Sequence, residues 1–113
     1  MEEEGRAYVK PEIEKRQHRR ARLVTQISCA ALGREELLLS RDVSVGGMFV
    51  TAREPFPQDS EVAVAFRLSP KDPLICCRGK IVYAILGVGM GVMFTDLDDS
   101  FRQSLQKFVD AAD

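Results

Sequence analysis

The sequence predicts a mainly β protein: a small six-stranded antiparallel β-barrel with a C-terminal α-helix packed on it. Two observations carry this reading. From Leu23 to Phe94 apolar residues fall at alternate positions in short runs, separated by clusters of Gly, Pro, Asp and Ser, as in half-buried strands joined by turns. After Asp96 the period changes. Leu97, Phe101, Leu105, Phe108, Val109 and Ala112 recur at three- and four-residue spacing, which gathers them on one face of a helix. Strands in succession, followed by one helix, leave that helix to cover the barrel.

Taken in order, residues 1–14 contain Pro11 and no sustained periodicity, and are expected to form a flexible N-terminal tail; residues 15–113 form the barrel domain. The first strand begins at Leu23 and turns Leu23, Thr25, Ile27, Cys29 and Ala31 to one side. Gly33-Arg34-Glu35 reads as a turn, and Leu37-Leu38-Leu39 opens the returning strand of a hairpin. Asp42 to Gly47 interrupts the apolar pattern with turn formers before Met48-Phe49-Val50 resumes it as the core of a third strand. Pro55, Pro57, Gln58 and Asp59 mark a loop. Val62, Val64, Phe66 and Leu68 make the fourth strand, and Ser69 to Pro73 a turn. Leu74–Ile85 is a longer fifth strand, and Gly89–Phe94 the sixth, after a turn at Gly87. Asp96, Asp98 and Asp99 stand where carboxylates suit the positive end of the helix dipole.

A chain of 113 residues, 45% hydrophobic and 29% charged, is enough for one domain with one core. Its net charge of −1 gives no general attraction to DNA or to a membrane surface, so any anion site must come from local placement. Cys29, Cys76 and Cys77 are odd in number and lack metal-ligand spacing; they read as small buried hydrophobes in a reducing compartment. No stretch is apolar and long enough to span a bilayer, and the Glu-rich N-terminus is unlike a signal peptide, so a cytoplasmic location is expected.

The charge asymmetry is local. Lys15-Arg16-Gln17-His18-Arg19-Arg20-Ala21-Arg22 concentrates cations just before the first strand, which implies either an anionic partner or full solvation. Asp42-Val43-Ser44-Val45-Gly46-Gly47 offers an acceptor, a hydroxyl and a backbone able to take positive φ; alternatively its Asp and Ser bond their own backbone in a turn or bulge. Together, Arg16-x-x-x-Arg20 and Asp42-x-Ser44-x-x-Gly47 across one hairpin resemble the PilZ domain, the bacterial receptor module for cyclic di-GMP. The resemblance runs from about Glu14 to the end and includes the Gly89–Phe94 strand and the closing helix.

What the resemblance implies is a non-catalytic cyclic di-GMP receptor. In it Arg16 and Arg20 clamp the ligand, Asp42 and Ser44 read it, Gly47 shapes the turn, and Lys15 adds a cation for a stacked ligand pair. Arg19 and Arg22 are peripheral. The chemistry suits these roles: guanidinium groups fork onto phosphate oxygens or guanine O6 and N7, and a carboxylate accepts from the guanine N1–H and N2–H edge. The resemblance further implies that binding orders the Arg-rich segment and signals to an unidentified downstream protein partner, with no cofactor, no nucleic acid polymer and no membrane insertion.

Other constellations are weaker. His18 has no nucleophile beside it, and no nucleophile-elbow pattern surrounds Ser44, so a His18–Asp42–Ser44 triad is discounted. Asp96-Leu97-Asp98-Asp99 lacks the Gly and distant Glu of a calcium loop. Gly87-Val88-Gly89-Met90-Gly91 leads into a strand and not a helix, so its glycines serve a turn and tight packing. Two rival functions remain: a ligand-independent interaction module of the same fold, and a nucleic-acid-binding barrel. The second is disfavoured by the near-neutral charge and by the aromatic content near the basic run, where Tyr8 stands alone.

Overall fold

The computed structural model describes residues 19–112. Seven strands and one helix follow in the order β1 (Ala21–Arg22), β2 (Gln26–Ala31), β3 (Arg34–Val43), β4 (Gly47–Thr51), β5 (Glu61–Phe66), β6 (Ile75–Ile85), β7 (Gly89–Phe94) and α1 (Asp99–Ala111). Six of the strands close on themselves. Running β3-β2-β5-β6-β7-β4, the sheet returns from β4 to β3 with every pair antiparallel, so the predicted six-stranded barrel with its C-terminal helix is what forms. Among the described residues, closure pairs each of these six strands on both sides, and β1 alone has a single neighbour, β3. The interior holds Ile27, Val43, Val50, Phe56, Phe66, Ile75, Ile81 and Met90. Each buried side chain of this kind favours folding by roughly 1.5–3 kcal/mol.

The first predicted strand is divided. β1 pairs with the far end of β3 (Ala21 opposite Val43, Arg22 opposite Asp42) and β2 with its near end, while Leu23 to Thr25 bow out between them. Ser40 fills the gap: its Oγ donates to the Leu23 carbonyl at 2.5 Å and accepts from the Thr25 amide at 3.1 Å. A buried hydroxyl satisfied in this way fixes where the chain turns from β2 towards the barrel rim.

Three local expectations are corrected. The β2–β3 turn is Leu32-Gly33, both at positive φ (54° and 78°), and Arg34 and Glu35 already pair with Ala31 and Ala30. A two-residue loop of this hand matches the strand twist, though Leu is an unusual occupant. β3 extends through Asp42 to Val43, which is wholly buried, so the break before β4 is shorter than the run of turn formers suggests. Of the cysteines, Cys29 and Cys77 are buried, but Cys76 is exposed because its neighbour in the strand takes the inward face. Burial, aided by the nearby Glu36 carboxylate, pushes the Cys29 thiol up to about 12. Burial, then Asp96 and Cys76, raises Cys77 to about 11.

α1 starts at the N-cap Asp98, whose carboxylate accepts from the Ser100 amide at 3.0 Å. Leu105 and Val109 are fully buried, Leu97 is buried, and Phe101 and Phe108 are half-buried against the core; Ala112 is exposed. Asp96 does not serve the helix. It accepts from the Arg78 amide at 2.5 Å and from Arg78 Nε at 3.2 Å, tying the lead-in of α1 to β6. Among the described residues no helix is long and apolar enough to cross a membrane.

Candidate functional site: a two-arginine aspartate at the barrel rim

The pairing of β1 with β3 decides the site. With Arg22 held opposite Asp42, the chain just before β1 must run past the Asp42 side chain, and Arg20 meets it there. Arg20 Nε and Nη2 lie 2.8 and 2.7 Å from Asp42 Oδ1, across 22 positions of sequence. Arg41 Nε donates to the other oxygen, Oδ2, at 3.2 Å. Each carboxylate oxygen therefore has its own guanidinium. The Arg20 side chain is 43% exposed, so the pair is worth only about 0–1 kcal/mol and is easily exchanged for a better anion. Arg19 turns towards the helix, 3.9 Å from Asp110.

Neighbouring residues of a regular strand point to opposite faces, so Arg41 and Asp42 meet only because β3 is bulged. Ser40 stands opposite Val50 and Asp42 opposite Phe49, which leaves Arg41 as the extra residue. Its guanidinium carbon sits 4.0 Å from the centroid of the Phe49 ring. The Phe49 ring is in turn 6.2 Å from that of Tyr83, which a second bulge on β6 aligns in the same row. Small residues on β7 make room for both rings. A Cβ at Gly91 would come within 2.4 Å of Tyr83, and one at Gly89 within 2.7 Å of Phe49.

The connection from β3 to β4 closes on itself. The Ser44 amide donates to the Gly47 carbonyl at 2.7 Å, and Ser44 Oγ accepts from the Gly46 and Gly47 amides at 3.1 and 3.2 Å. The hydroxyl is buried, 2% exposed, so in this arrangement Ser44 builds the turn instead of presenting a donor at the surface. Gly47 is also needed for a reason other than the expected one. Neither it nor Gly46 has a positive φ; instead a Cβ on Gly47 would stand 2.1 Å from the Val92 carbonyl oxygen. The Phe94 amide donates to the Gly46 carbonyl at 2.9 Å, which locks the turn onto β7.

Of the residues singled out from the sequence, the structure brings Arg20 and Asp42 into contact and sets Ser44 and Gly47 in the turn that follows them. Lys15, Arg16 and His18 lie outside the described residues. Phe49 is buried, as expected of a core residue of the third strand, whereas Arg41 and Tyr83 escaped the sequence reading, since strict alternation assigns Arg41 and Asp42 to different faces. A mostly apolar groove of about 310 Å³ lies elsewhere, between α1 and the β5–β6 connection, lined by Leu68, Pro73, Ile75, Phe101 and Phe108.

Comparison with known proteins gives one family: the PilZ domain, matched over residues 14–111. Solved structures share the fold. The inhibitor of motility MotI/DgrA of Bacillus subtilis superposes with a TM-score of 0.74 at 17% identity, covering 82% of this chain and 48% of that one. The PilZ domain of YcgR from Escherichia coli, solved with c-di-GMP, gives 0.67 at 11% identity and covers 87% and 91%. PlzA of Borreliella burgdorferi, in complex with c-di-GMP, gives 0.59 at 14% identity and covers 91% and 45%. The chain thus spans about half the length of the Bacillus and Borreliella proteins, but nearly all of the YcgR domain. No curated protein sequence matches it.

Proposed function

The chain belongs to the PilZ domain family, and from that premise we propose that it is a non-catalytic receptor for cyclic di-GMP that acts on a partner protein. One observation carries the reading: Arg20 and Asp42, from separate motifs, meet at one point of the rim. A cyclic dinucleotide offers each half of this exposed pair a stronger partner. Phosphate and guanine O6/N7 take the arginine forks of Arg16 and Arg20, and the guanine N1–H and N2–H edge takes the Asp42 carboxylate. Ser44 and Gly47 contribute by holding the β3–β4 turn against β7, which fixes the height of Asp42 above the rim. Lys15 adds a cation beside the Arg16 fork. The switch is an exchange of partners: Arg20 leaves Asp42 for the ligand, the Arg-rich segment is drawn over the rim, and the altered surface is what a downstream protein senses.

Titration calorimetry with cyclic di-GMP tests this on the wild-type chain and on Arg16→Ala and Arg20→Ala. Losing one ligand-paired arginine is expected to cost about 2–5 kcal/mol, which is roughly 30- to several thousand-fold in affinity. Undiminished binding in both variants removes the proposal.

A further inference from the structure

Asp42 is held by two arginines that differ in kind. Arg20 comes from the segment before β1 and touches only Oδ1. Arg41 comes from β3 itself and touches Oδ2. The bulge that displaces Arg41 onto the Asp42 side, the Phe49 ring under its guanidinium, and the Gly91 and Tyr83 that flank that ring are built into four strands of the closed barrel. The backbone position of Arg41 is therefore set by the barrel itself and not by the segment that carries Arg20.

We infer that Arg41, seated over the Phe49 ring, is a positioning residue for base recognition: it pins Asp42 by Oδ2 so that Oδ1, once Arg20 departs, faces a guanine edge in a fixed orientation. The inference rests on the receptor reading above. Its physical content is a division of labour. Without Arg41, the departure of Arg20 would leave a carboxylate free to rotate, and ordering it would detract from binding. With Arg41, the plane is preset and the charge remains compensated. Lysine cannot substitute, because a point charge on a flexible stem neither lies flat on a ring nor directs a planar N–H at one oxygen.

The test uses the full chain and two ligands, cyclic di-GMP and its inosine analogue, which lacks the guanine 2-amino group that Asp42 would accept from. In the wild type the missing amino group should weaken binding markedly. In Arg41→Ala and Arg41→Lys, affinity for cyclic di-GMP should fall about tenfold to a hundredfold, the range of one charge-assisted hydrogen bond. The penalty for the inosine analogue should shrink by a similar factor, because the two losses act through one carboxylate. A loosened barrel would weaken both ligands alike and leave their ratio unchanged; that outcome, or wild-type affinity in Arg41→Lys, overturns the inference while the receptor reading stands. Absence of cyclic di-GMP binding by the wild type overturns both.

Discussion

Leu32 adopts a φ of 54° at the tip of the β2–β3 hairpin, where a side chain with a Cβ is strained and an apolar one, 72% exposed, gains nothing from packing. Leu32→Asn should relieve that strain and raise stability by about 0.5–1 kcal/mol, read as a higher urea midpoint with unchanged slope; no gain would mean that the turn does not need the left-handed conformation. Gly47 is the opposite case. There the obstacle to a side chain is the Val92 backbone oxygen, which cannot step aside, so Gly47→Ala should destabilise at the upper end of the ~1–3 kcal/mol typical of overpacking. The cysteines separate by the same criterion of surroundings. Burial keeps Cys29 and Cys77 protonated at neutral pH, so a thiol reagent should modify Cys76 alone in the native protein and all three in urea. Rapid labelling of Cys77 in the native protein would contradict the barrel register at β6.

At the scale of elements, turn formers marked where turns lie but not their limits, as Leu32-Gly33 and the extension of β3 to Val43 show, while the helix and most of the strands were legible because each announces itself by period. The two bulges were not. Alternation assumes one residue for one residue across a pair, and nothing in Ser40-Arg41-Asp42 or Ile81-Val82-Tyr83 reveals that two residues will face one. For that reason Arg20, Asp42, Ser44 and Gly47 could be picked out in the sequence by resemblance, while Arg41 and its aromatic seat could not. For Ser44 the sequence left two readings open, a ligand-facing hydroxyl and one that bonds its own turn, and the described structure holds the second arrangement.

The approach to α1 depends on ionised carboxylates. The Arg78 amide, then its side chain, holds the Asp96 carboxyl below the usual range, and the Ser100 hydroxyl and amide do the same for Asp98. A carboxyl whose folded pKa is depressed adds stability above its unfolded value, about 4, and loses it as pH falls through the folded one. The urea midpoint should thus drop between about pH 5, roughly one unit above the unfolded pKa, and about pH 2, roughly two units below it. Asp98→Asn, which can cap without titrating, should flatten part of the drop. A midpoint indifferent to acid would show that the cap and the Arg78 tie contribute nothing to holding the helix on the barrel.

Over the whole molecule, the proposed receptor function expects different responses to ligand from the closed barrel and from the segment before β1. Each of the six barrel strands is paired with a neighbour on both sides. Arg20, by contrast, is attached through an exposed ion pair that salt screens. On the proposed function, the Arg-rich segment reports the second messenger while the barrel serves as the reference. Trypsin reads this directly, because Lys15, Arg16, Arg19, Arg20 and Arg22 are all potential cleavage points. Saturating cyclic di-GMP should slow cleavage across this run and leave cleavage elsewhere in the native barrel unchanged, since protection follows the fraction of time the segment is released. In Arg20→Ala the same ligand concentration should give little protection. Calorimetric binding without any protection would separate the two halves of the proposal: the protein would be a receptor, but the signal would have to leave by a surface other than the segment that begins at Lys15.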